Sequence, residues 1–95
     1  VIRAEKVVRI GNEWGIHSRV AARLAGIAAS HGVRLFLCHD GEEVACDSIL
    51  DVLALALTRG TTVGLLAEGA RAESALAAAA AMINAQDDSC HDPSG

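Results

Sequence analysis

Over residues 2 to 10 apolar and polar positions follow a period of two: Ile2, Ala4, Val8 and Ile10 on one side, Arg3, Glu5, Val7 and Arg9 on the other. That is the spacing of a half-buried strand, with Lys6 interrupting its inner face. The period then changes. From Ser18 to Ser30 the apolar residues Val20, Leu24 and Ile27 recur at helical spacing, and Ala21 and Ala28 widen the stripe. Arg19, Arg23 and Ser30 lie opposite, so an amphipathic helix is predicted, stopped by Gly32.

Two short strand-like runs follow, Val33 to His39 and Glu42 to Cys46, joined by Asp40-Gly41, a dipeptide suited to a type I′ hairpin turn. Ser48 opens a second helical run that reaches toward Gly60. Residues 61 to 67 alternate again, with Val63, Leu65 and Ala67 against Thr62, Gly64 and Leu66, a fourth strand. Ala72, Leu76, Ala79, Ala80 and Ile83 share one face of a third helix running from about Ala70 to Gln86. The polar end "DDSCHDPSG" carries the only proline and is expected to be a disordered tail, leaving one domain over 1–86 and the tail over 87–95. The order β-α-β-β-α-β-α, with no internal repeat or linker, predicts an α+β fold. Its form is a two-layer open-faced β-sandwich: a largely antiparallel sheet with helices on one face.

Composition narrows the function. A chain of 95 residues supports a single modest core, which excludes a multi-domain enzyme. The net charge of -4 has the wrong sign for neutralising nucleic-acid phosphates. No apolar run approaches the length a membrane helix needs, and the N-terminus lacks the basic-then-apolar pattern of a secretory signal. Cys38, Cys46 and Cys90 are odd in number and without Cys-x-x-Cys spacing, which fits a reducing cytosol better than a disulfide framework or a zinc site. The pairs Cys38-His39 and Cys90-His91 look metal-like, but one falls on a strand and the other in the tail, so no metal is expected.

The remaining chemistry gathers in "GIHSRVAARL". His17 falls at the start of the first helix, at the N-cap or one residue before it. Helix N-termini carry amides without intrahelical partners and a partial positive charge, so an anion held there is stabilised. Arg19 adds a planar guanidinium suited to phosphate oxygens. The neutral imidazole attacks through a ring nitrogen, and a phosphoryl group placed on that nitrogen meets the same two features. The spacing by itself more often marks a surface histidine or a weak cap.

"GIHSRVAARLAGIA", "DSILDVLALALTRGTTV" and "AEGARAESALAAAAAMI" together resemble the HPr family, the histidine-containing phosphocarriers of the bacterial sugar phosphotransferase system. The resemblance runs from about residue 4 to residue 85. It implies a sheet in strand order 1-4-2-3 with three helices on one side. His17 would be phosphorylated on Nδ1 by enzyme I, from phosphoenolpyruvate, and would donate to IIA components, with Arg19 steadying the phosphate. No cofactor is implied, and most members of the family act as monomers. One departure stands inside the motif: Val20 occupies the place of the family's proline, restoring an N–H in the first helical turn.

Two further expectations concern the second helix. Ser48 stands where some family members are phosphorylated by a serine kinase. However, "SILD" also reads as a capping sequence, and Asp47 and Asp51 would repel an added phosphate. Ile49 to Leu57 is apolar nearly all round except at Asp51, so part of Ile49, Leu50, Leu53 and Ala54 should stay exposed. The resemblance makes Ile49, Leu50 and Leu53, with Val20 beside them, a partner-docking surface. Trp14 is expected to cover the loop before His17. Two alternatives stay open: a regulatory binding module on the same fold whose histidine is not phosphorylated, and a small-ligand sensor with an apolar pocket.

Overall fold

A computed structural model describes residues 2–85. Its elements are β1 (Arg3–Arg9), α1 (Ser18–His31), β2 (Arg34–His39), β3 (Glu42–Ala45), α2 (Ile49–Ala54), β4 (Thr62–Glu68) and α3 (Ala72–Asn84). The four strands form one antiparallel sheet in the order β1-β4-β2-β3. This is the topology the resemblance implied, in the element order read from periodicity. The tail expected over 87–95, with Cys90 and His91, lies outside the described residues, as does Gln86.

Strands β1, β2 and β4 turn alternate residues inward, and the buried set Ala4, Val8, Leu35, Leu37, Val63, Leu65 and Ala67 meets Leu24 and Ala28 of α1 and Leu76, Ala79 and Ile83 of α3 in one cluster. α1 ends where Gly32 returns its N–H to the carbonyls of Ala28 and Ala29. The hairpin turn is as the dipeptide predicted: Asp40 and Gly41 both have positive φ, 51° and 82°, and His39 pairs with Glu42 across it.

Three expectations are corrected. Ile2 lies one residue before β1 and is 54% exposed rather than part of the inner face. Leu66 is buried although it sits on the outer face of β4. β4 is a central strand, and Leu66 is flanked there by Glu5 of β1 and Phe36 of β2. The second helix does not run toward Gly60; it spans only six residues and stops at Ala54. Leu55 and Ala56 then make short backbone bonds to Val52 and Leu53, and Ala56 takes a left-handed φ of 52°. The chain thereby turns Leu57 into the core and frees its carbonyl for the loop that carries His17.

Candidate functional site

The loop between β1 and α1 is fastened at both ends. Gly11 donates its N–H to the carbonyl of Ile83 at the end of α3, and a Cβ at Gly11 would collide with the backbone of Asn84. Asn12 is buried, its Nδ2 3.4 Å from the Met82 carbonyl, and its own carbonyl accepts the Gly15 N–H at 3.0 Å, closing a turn. Ile16 is buried and donates to the Leu57 carbonyl at 3.0 Å. Gly15 is required between them. Its φ is 69°, and a Cβ there would strike the Leu57 carbonyl oxygen. Sequence reasoning missed this clasp; the Asn-x-x-Gly spacing of a tight turn was its one local signal.

The clasp delivers His17 as the N-cap of α1, with extended backbone (φ -101°, ψ -176°) and a carbonyl that accepts the Ala21 N–H at 2.9 Å. Its Nδ1 accepts the Arg19 N–H at 3.3 Å. An accepting nitrogen presents its lone pair, so Nδ1 is the ring atom facing the helix-terminal donors. Nε2 is on the other side of the ring, out of contact with solvent. The first turn of this 14-residue helix contains no acidic residue, so no carboxylate within that turn offsets its positive end. Arg19, the second helical residue, is exposed.

A phosphoryl group bonded to Nδ1 would replace the lone pair as acceptor for the Arg19 amide, with its oxygens in the field of the helix terminus. The Val20 amide belongs to the same first turn, whose N–H groups have no carbonyl four residues back within the helix. The Val20 side chain, by contrast, is fully buried in the core. Its expected place on a partner surface is therefore corrected: only the backbone of that position is available at the site.

The other expected residues separate. Ile49 and Leu50 are exposed, Leu50 to 79%, whereas Leu53 is half-buried and packs on the core. Ser48 is half-buried and precedes α2, but it does not cap the helix backbone; its Oγ donates to Asp51 Oδ2 at 2.8 Å. Trp14 does not cover the loop as expected. It is 75% exposed. Cys38 is half-buried on β2, and among the described residues no three His, Cys, Asp or Glu side chains gather as a metal site.

The fold is a small open-faced sandwich with one histidine nitrogen at the mouth of a helix, where an anion would be stabilised, and comparison with known proteins places the fold in a family. Residues 4–85 match the family model described as the PTS HPr component phosphorylation site. Phosphocarrier protein NPr of Shewanella violacea is 31% identical over 86 residues, covering 90% of this chain and 94% of that protein. Phosphocarrier protein HPr of Treponema pallidum is 34% identical over 73 residues, 77% of this chain and 83% of that protein. The crystal structure of HPr from Bacillus anthracis superposes with a TM-score of 0.80 at 30% identity, over 87% of this chain and 99% of that one. The chain belongs to the HPr family of the phosphotransferase system.

Proposed function

We propose that this chain is a phosphocarrier that takes a phosphoryl group on Nδ1 of His17 from enzyme I, itself charged by phosphoenolpyruvate, and passes it to IIA domains. The Nδ1–P bond forms as the donor's bond to phosphorus breaks. The same exchange then runs toward the acceptor, so the carrier leaves each cycle unchanged. It is a substrate of its partners rather than an enzyme. The observation that carries the reading is the position of Nδ1: it faces the Arg19 amide at the positive end of α1, whose first turn has no acidic residue. Arg19 carries an exposed guanidinium on the same first turn, and Ile49 and Leu50 supply apolar contact for the partner.

The odd number of cysteines without disulfide spacing supports a cytoplasmic setting. A core closed within one chain supports action as a monomer. Likeness to the HPr-like protein Crh of Halalkalibacterium halodurans, 32% identical over 79 residues, favours a second reading: a regulatory module on this fold whose His17 is not phosphorylated. Under it Ser48, half-buried and bonded to Asp51, would be the modified residue. Mass spectrometry under alkaline conditions after incubation with enzyme I and phosphoenolpyruvate decides between them. The carrier gains one phosphate on His17 and the His17→Ala variant gains none. Wild-type protein that stays unmodified overturns the proposal.

A further inference from the structure

Among the described residues five large apolar side chains are exposed: Ile2, Val7, Trp14, Ile49 and Leu50. Trp14 stands apart from the others in size and in the rigidity of its support. It lies inside the turn closed by the Gly15 N–H on the Asn12 carbonyl, and the residue after that turn is bonded to Leu57. The indole is thus held out in solvent, 75% exposed, by backbone that is itself fixed. It contributes little to the core, while an aromatic side chain of this size carries a large apolar surface that only a second molecule can cover. Tryptophan on a preorganised loop is the residue type that dominates protein interfaces, because little conformational freedom is lost when it is buried.

Position supplies the occupant. Any protein that brings a phosphorus atom within bonding reach of Nδ1 must cover the surface around His17, and Trp14 is three residues away on the same fastened loop. Resting on the phosphocarrier reading, we propose that Trp14 is the specificity anchor of this carrier. Its indole enters an apolar pocket beside the donor's phosphoryl group and selects donors that have such a pocket. A net charge of -4 argues against the competing occupant, an anionic lipid surface.

Steady-state phosphorylation by enzyme I, with the carrier as varied substrate, tests this. Trp14→Ala is expected to raise KM roughly tenfold or more with kcat within about threefold, and Trp14→Leu to recover part of the loss. Val7→Ser, which alters a comparably exposed residue on the outer face of β1, should leave both constants unchanged. Thermal unfolding of each variant confirms that the fold is intact. A second measurement does not depend on transfer. Trp14 is the single tryptophan, so fluorotryptophan incorporated there gives one fluorine NMR signal. In the His17→Ala background that signal should shift on adding enzyme I and stay put on adding phosphatidylglycerol-phosphatidylethanolamine vesicles. Normal KM for Trp14→Ala with His17 still phosphorylated overturns the anchor and leaves the carrier standing. A signal that moves with vesicles and not with enzyme I overturns it in favour of a membrane contact. If His17 is never phosphorylated and the signal is unmoved, both readings fail.

Discussion

The amide hydrogen of Arg19 points at Nδ1 of His17 across 3.3 Å, so the proposed nucleophile and the cap of α1 are one atom. Stability and phosphoryl transfer are therefore coupled in His17 and separable by substitution. His17→Ala should lose the cap, about 0.5–1 kcal/mol by urea unfolding, and all phosphorylation. His17→Asn should recover the stability, since asparagine is a strong N-cap, yet accept no phosphoryl group. Labelling of the asparagine variant would show that the acceptor lies elsewhere.

The backbone around Leu57 yields a pair of opposite effects. Ala56 holds a left-handed φ of 52° without being glycine, a conformation that costs a β-carbon residue roughly 1–2 kcal/mol. Ala56→Gly should raise stability by about 0.5–1 kcal/mol, the relief being partly offset by the freer unfolded chain. Gly15→Ala should do the reverse, lowering it by more than about 2 kcal/mol, because the new Cβ meets the Leu57 carbonyl as well as a positive φ. Equal and small shifts in denaturation midpoint for the two variants would contradict the clasp.

Where periodicity reports a face that is buried whatever the neighbours are, the sequence was a sufficient guide. Val20, Leu24 and Ala28 mark the inner stripe of α1, and Val63, Leu65 and Ala67 the inner face of β4. What it did not carry depends on partners far along the chain. Leu66 is buried because β1 and β2 flank it, and strand order is absent from a period of two. The run from Ile49 to Leu57 has helical composition throughout, but the bond from Ile16 to the Leu57 carbonyl draws its end out of the helix. At the site, His17 and Arg19 were visible as residues, while the Nδ1 bond between them was not. Val20 belonged to two expectations, core stripe and partner surface, and its burial satisfies only the first.

Val20 also gives a prediction about the phosphorylated state. Its side chain can be replaced by proline with modest change in volume, whereas its amide is removed outright. If that first-turn amide helps hold the phosphoryl oxygens, Val20→Pro should shorten the lifetime of the phosphohistidine a few-fold and shift stability by less than about 1 kcal/mol. The lifetime is read by following loss of the His17 phosphate at neutral pH. An unchanged decay rate would show that the amide takes no part.

Alkaline pH should weaken the fold through Cys46. Burial pushes its thiol up to about 12, with Asp47 and Cys38 adding to the effect, from an ordinary value near 9.0. The folded chain thus keeps a proton that the unfolded chain releases, and between these two values the unfolded state binds fewer protons. By linkage the stabilisation is fully present below about pH 9 and is lost as pH rises through about 12, on the order of a few kcal/mol in all. Few other groups compete in that range: the chain has no tyrosine and a single lysine, Lys6. Cys38 is also raised, by burial first and then by Glu43 and Glu5, so it should add a smaller slope of the same sign. Urea unfolding of wild type and Cys46→Ala at mildly and strongly alkaline pH measures the difference. The variant should start lower, having lost a buried side chain, and fall less steeply. Parallel curves would mean that the Cys46 thiol is not the group that titrates.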